Sequence, residues 1–243
     1  LESVLHHFAP KVIVPIEVGR YDLSITDYTL WMWGAMLVTF MLLTVVARRA
    51  KLVPRGMQTP IESVVEFVRN EIALGVIGKE GEAYFSYLAT MFFFILACNL
   101  TEIIPGAKTP TAVTGTTVAW AVMVFFTYHL VGMKKNGLWG YAKSFVPTGT
   151  PVWLIPFIVP IEVISHVFRP VSLALRLFAN MFAGHAVLGI FAFMAVTSSI
   201  WMKAIPISAE VIMFAFEIFV GFIQAYIFTM LTAIYIQGAL HAH

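Results

Sequence analysis

Between Val152 and Val196 the chain runs for 45 residues with only three charged side chains, Glu162, Arg169 and Arg176. As straight helix that run is roughly 68 Å long at about 1.5 Å per residue, more than twice the ~30 Å hydrocarbon core of a bilayer. It must lie far over or be broken, with Pro156, Pro160 and Pro170 as candidate break points. The rest of the chain shares the bias: 60% of its 243 residues are apolar and 12% charged, with mean hydropathy +0.87. A soluble domain is roughly a quarter charged, so this chain cannot clothe a water-facing surface. Disorder is excluded too, because it requires low hydrophobicity and high net charge. The expected fold class is an all-α, polytopic membrane protein, embedded as a single domain over residues 1–243.

Three further spans precede residue 150. Leu30 to Ala47 enters through Trp31 and Trp33 and closes on Arg48, Arg49, Lys51 and Arg55, so aromatics and cations set its N-terminus outside. Tyr84 to Leu100 and Thr114 to Met133 form a two-span hairpin, the latter followed by Lys134 and Lys135. Between the first two spans, Ile61 to Ile77 mixes Glu62, Glu66, Arg69 and Glu71 with Val64, Val65, Phe67 and Val68, the pattern of a helix lying on the membrane surface. Nine of the fifteen Lys and Arg residues fall in inferred inside loops: the cations just named plus Lys79 and Lys143. Lys11, Arg20, Lys108 and Lys203 fall outside, which satisfies the positive-inside rule. A last long run, Ile205 to Leu240, follows a turn over Ser198 to Pro206, with Ser208 as its expected cap. The start of the sequence lacks Met and the pattern of a signal peptide, the expectation being a processed or partial chain.

Ionisable groups inside bilayer-length helices are costly and normally functional. Glu162, His166, Arg169, Leu173, Arg176 and Asn180 advance by four, three, four, three and four residues, forming one stripe of a helix. Glu210, Glu217 and Gln224 form a second, spaced by sevens. If the two helices fold back on each other, Arg176 with Gln224 and His185 with Glu217 share a midpoint near residue 200, inside the expected turn. Either these groups only fix helix register, as polar groups do in membrane bundles, or they line an ion path. The second reading is favoured by Arg176, which has no acid three or four residues away in sequence and so calls for a counter-charge from another chain.

Other chemistries find little footing. Net charge is +2, which implies no nucleic-acid partner. The lone Cys98 reads as a small buried hydrophobe. No Gly-rich phosphate loop, G-x-S-x-G or H-E-x-x-H occurs, so no cofactor is expected. His6, His7, His241 and His243 are too scattered for a metal site. Two rivals stay open: a stand-alone secondary transporter, and a haem-binding subunit using His129, His166 and His185.

The run RPVSLALRLFANMFAGH, Arg169 to His185, resembles the signature of subunit a of the F-type ATP synthase, and FIQAYIFTMLTAIYI, Phe222 to Ile236, resembles that family's final helix. The resemblance implies an outside segment over residues 1–27, peripheral spans and a surface helix over 28–150, and over 151–243 two long, strongly inclined helices facing a rotating ring of c subunits. It implies a non-hydrolytic subunit whose complex forms ATP on other chains, with b-type stalk subunits, the rest of the F1Fo complex and lipid as partners. By the same resemblance Arg176 is the essential arginine set against a c-subunit carboxylate. Asn180, His185, Glu210, Glu217 and Gln224 then belong to an outside half-channel, and Glu162, His166, Arg169 and Ser172 to a cytoplasmic one. Some family members carry an acid where this chain has His185 and an imidazole where it has Glu217. The implied home is a bacterial plasma membrane, with the N-terminus outside and the C-terminus cytoplasmic.

Overall fold

A computed structural model describes residues 10–18, 21–22, 24–49, 58–104, 106–143, 145–146, 151–199 and 201–241. Six helices carry the fold: α1 Asp27–Arg49, α2 Gln58–Phe67, α3 Phe85–Leu100, α4 Thr114–Lys143, α5 Ile155–Thr197 and α6 Ala204–Leu240. All but α2 are long and apolar enough to span a bilayer, which makes the chain an all-α, polytopic membrane protein. Its surface agrees: Trp201 is 91% and Phe40 67% exposed, large apolar groups that water would disfavour and lipid accepts. Arg20, Lys51, Arg55, His6, His7 and His243 lie outside the described residues.

The described chain forms two compact units. The first comprises Leu1–Val45, Phe93–Val113 and Leu177–Ala225; the second comprises Val46–Phe92, Thr114–Arg176 and Tyr226–His243. In the first, β1 Val12–Val14 pairs antiparallel with β4 Ile25–Thr26, and β2 Glu17–Val18 with β3 Tyr21–Asp22. These small ladders were not expected from the sequence. Asp27 joins them to α1: its carboxylate accepts from the backbone N–H of Tyr28 at 3.0 Å and of Lys11 at 3.2 Å, and an acid suits a helix N-terminus.

Deeper in the same unit, Asn99 near the end of α3 ties α6 in place. Its Nδ2 donates to the Gly221 carbonyl at 2.9 Å, and its Oδ1 accepts from Thr111 Oγ1 at 2.8 Å. Gly221 permits the approach, since a Cβ there would stand 3.2 Å from Asn99 Cβ.

In the second unit, α2 runs on as a π-helix over Val68–Ile77. Its buried residues, Val68, Ile72, Ala73 and Ile77, recur every four or five positions, the wider spacing expected of i→i+5 hydrogen bonding. The expected surface helix is therefore partly π rather than α. Two exposed ion pairs tie down the 3-10 turn Lys79–Ala83 that follows it: Arg69, near the start of the π-helix, with Glu82 at 2.6 Å, and Lys135 with Glu80 at 2.5 Å. The hydrogen bond from Lys135 holds the Glu80 carboxyl below the usual carboxylate range. Gly137, at φ 71°, kinks α4, and a Cβ on Gly132 would overlap the Tyr141 ring.

The expected break points do not break α5, which is helical from Ile155 to Thr197 with Pro160 and Pro170 inside it. A proline removes the donor to the carbonyl four residues back, so Pro170 leaves the His166 carbonyl short of its helical partner. Tyr128, from α4, donates its hydroxyl to that carbonyl at 3.3 Å, the kind of re-satisfaction that lets proline persist in membrane helices. An unbroken helix of 43 residues crosses a ~30 Å core only when strongly tilted. Ser208 is not a cap: α6 begins at Ala204, and the Ser208 hydroxyl donates to the Ile205 carbonyl at 2.9 Å inside the first turns.

Asn99→Ala removes two buried hydrogen bonds, each worth about 0.6 and at most about 1.7 kcal/mol between membrane helices. Buried Cys98, the neighbouring residue, reports the loss: its labelling by a thiol-reactive dye during heating moves to lower temperature in Asn99→Ala. An unchanged midpoint would show that the Asn99 contacts carry no stability.

Candidate functional site

Within the first unit, three segments bring a histidine and two acids together: His185 on α5, Glu217 on α6 and Glu102 in the 3-10 turn Thr101–Ile103 that follows α3. His185 Nδ1 lies 3.1 Å from Glu102 Oε1, and one side-chain donor atom from each of the three lies within 4.8 Å of the other two. Glu217 is 4% exposed, and its carboxyl lies within hydrogen-bond reach of the Glu102 carboxyl. Gly184 makes room for it: a Cβ there would overlap the Glu217 carboxylate. A histidine beside carboxylates can pass a proton to them or take one.

A cavity of about 310 Å³ opens beside this cluster, lined by Glu102, His185, Glu210, Leu188 and Phe214 among others. Glu210 thus faces the same space as the His185 cluster, although on α6 it lies two helical turns before Glu217. Two turns along α6 in the other direction, Gln224 Oε1 accepts from Asn180 Nδ2 at 2.8 Å. Gln224 is 1% exposed, and its Nε2 has no partner among the described residues. Cavity, cluster and amide pair follow one another along the helices, from groups that titrate to groups that orient hydrogen bonds.

Within the second unit, Glu162 Oε1 lies 3.4 Å from His166 Nε2 and 3.8 Å from Arg169 Nη2. The Arg169 guanidinium lies over the Tyr235 ring, 5.5 Å from its centroid, a cation–π arrangement suited to a charge in a poor dielectric. Tyr128 is buried, with its hydroxyl 3.3 Å from His166 Nδ1. Ser172 gives its hydroxyl to the Arg169 carbonyl at 2.9 Å. Arg176 is exposed and makes no ion pair with any described residue. Leu173, on the same sequence stripe, is buried, so the stripe does not present one uniformly polar face.

Glu102, Tyr128 and Asn99 are the polar groups that the sequence reading passed over. Glu102 and Asn99 stand at the end of a span, where polar residues are routine, and the midpoint arithmetic compared only the last two helices. The haem reading loses its geometry: the rings of His129 and His166 meet edge to face, 5.5 Å between centroids and 71° between planes, with no room for a porphyrin between them. His185 contacts Glu102 instead.

Residues 29–237 match the family described as ATP synthase A chain. The chain is 45% identical over 242 residues to the ATP synthase subunit a of Magnetococcus marinus, covering 98% of this chain and 93% of that one. It is 37% identical over 243 residues to the protein of the same name from Mesorhizobium japonicum, covering 98% and 96%. To that of Pelagibacter ubique it is 38% identical over 228 residues, covering 94% and 93%.

Because Gly184 holds the space of the Glu217 carboxylate, Gly184→Ala is expected to shift the infrared band of that carboxyl, identified by its disappearance in Glu217→Gln. Gly34→Ala, where a Cβ meets nothing within 4 Å, leaves the band in place. Identical spectra for Gly184→Ala and the native protein would show that the close approach does not set the carboxyl's surroundings.

Proposed function

Because the chain belongs to the ATP synthase A chain family, we propose that it carries protons between two offset half-channels of an F-type ATP synthase, with Arg176 between them. It is a multi-pass membrane subunit associated with the rest of the F1Fo complex. The carrying observation is the sequence of groups around Glu217: a cavity lined by acids and a histidine, a buried carboxyl paired with that of Glu102, then the Asn180–Gln224 amide pair.

On this reading a proton enters past Glu210, Glu102 and His185 to Glu217, and Asn180 with Gln224 orients its onward transfer to a carboxylate on a c-subunit ring. Release runs past Ser172, Arg169, His166 and Glu162. The cations of the loops, Arg48, Lys134 and Lys135 among them, support a cytoplasmic C-terminus and an outside N-terminus. A bacterial plasma membrane is the home this reading assigns. Residues 151–243 supply the ring-facing helices and 28–150 the peripheral ones, and b-type stalk subunits hold the chain still.

Exposed Arg176 supports a partner from another chain, because a lasting charge in apolar surroundings needs one. Ser172, Ala179 and Ala183, also exposed on α5, leave space for a neighbouring helix backbone. Arginine suits the role because its delocalised guanidinium keeps its charge in a poor dielectric, whereas a lysine can lose its proton when buried. The pairing cannot be very tight. At about 4 Å and an effective dielectric of about 20 it is worth roughly 4 kcal/mol, against about 2.3 kcal/mol for one charge crossing 100 mV. A drier pair would stall the ring.

Arg176→Ala is expected to abolish ATP-driven proton pumping by membranes that still contain the protein; normal pumping would sink the proposal. Glu217→Gln slows proton uptake by roughly 10²-fold, the scale of one lost acid–base group. The double exchange His185→Glu with Glu217→His retains part of the activity, because it keeps an imidazole beside a carboxyl. Equal pumping by all single and double variants would make the pair structural.

A further inference from the structure

The same three side chains that would relay protons have the composition of a metal site. We infer that Glu102, His185 and Glu217 bind a divalent transition-metal ion of the zinc class, reached through the 310 Å³ cavity, and that the bound ion closes the inlet. The closing effect rests on the proton-inlet reading above; the binding does not.

Two independent observations carry it. One is the donor set: an imidazole nitrogen and two carboxylate oxygens, mutually within 4.8 Å. In tetrahedral zinc, with bonds of about 2.0–2.1 Å, donors stand roughly 3.4 Å apart, so each side chain need draw in by no more than about 1 Å. The other is Glu217 itself. A carboxyl 4% exposed, set against a second acid, Glu102, within hydrogen-bond reach, is a costly group to bury, and a cation would hold both carboxylates at once.

Chemistry selects the ion. Two carboxylates balance its charge, and imidazole nitrogen favours zinc, copper or nickel over magnesium or calcium, which prefer six or more oxygens. Three donors leave a fourth position open toward the cavity for water. No spacing motif announces such a site, because its donors come from three separate segments. It is not a resident cofactor site: emptying it restores transport, and filling it removes the proton-carrying groups from service.

The test uses the whole complex, freed of metal by chelation and titrated with Co2+, whose visible absorption reports imidazole coordination, followed by displacement with Zn2+. One ion per chain is expected, undisturbed by a thousandfold excess of Mg2+. Glu102→Gln, Glu217→Gln and His185→Asn each weaken binding by at least about tenfold, whereas His185→Cys, which keeps a zinc donor, restores Zn2+ affinity. Arg176→Ala, outside the donor set, binds as the native complex does. Binding that is absent, or unaffected by all three donor variants, overturns the inference. In liposomes, Zn2+ on the cavity side stops proton flux with a midpoint equal to its dissociation constant. Donor-dependent binding with undiminished flux would overturn the proton-inlet reading and leave the metal site standing.

Discussion

A carboxyl sealed inside apolar helices is the constraint around which the first unit is arranged. Glu217 on α6 needs a neighbour to exchange protons with, and space that no other side chain fills. Gly184 supplies the space and His185, the next residue, the neighbour. Asn99 fixes α6 one turn away, at the Gly221 carbonyl. Shift α6 by a single residue and the carboxyl rotates by about 100°, away from His185 and toward packing that cannot hold it. The Asn99 contacts therefore serve the site as much as the fold.

The second unit solves a related difficulty by other means. Glu162 faces a histidine and an arginine, so its charge is shared, and Arg169 adds the face of Tyr235. Tyr128 serves both backbone and site: it satisfies the carbonyl that Pro170 frees and approaches the His166 ring. Pro170 thus does not interrupt α5; it makes one carbonyl available to a hydroxyl from α4.

Much of this was legible in the sequence, for reasons that can be named. Spans, loop cations and the excess length of the last two helices follow from hydropathy and length alone. The midpoint rule finds His185 near Glu217 because an antiparallel hairpin has only one register free. Glu102 escapes that rule, since it arrives from α3, and no local pattern links it to α5. The π-helical turn at Val68–Ile77 escapes for a different reason: its period of four to five is masked by a sequence that also fits an α-helical stripe. The unbroken α5 was hidden because proline's usual effect is local, whereas the Tyr128 hydroxyl that offsets it comes from 38 residues earlier in the chain.

The face of α5 that carries Arg176 can be probed directly in the membrane. A cysteine placed at Ala179, exposed on α5, paired with one beside the carboxylate of a ring subunit and oxidised in native membranes, provides it. The account predicts a disulfide that forms readily, halts ATP hydrolysis coupled to rotation, and releases it on reduction. A crosslinked complex that still pumps protons, or a failure to crosslink at Ala179 while a cysteine on the opposite, buried face at Ala174 does so, would contradict it.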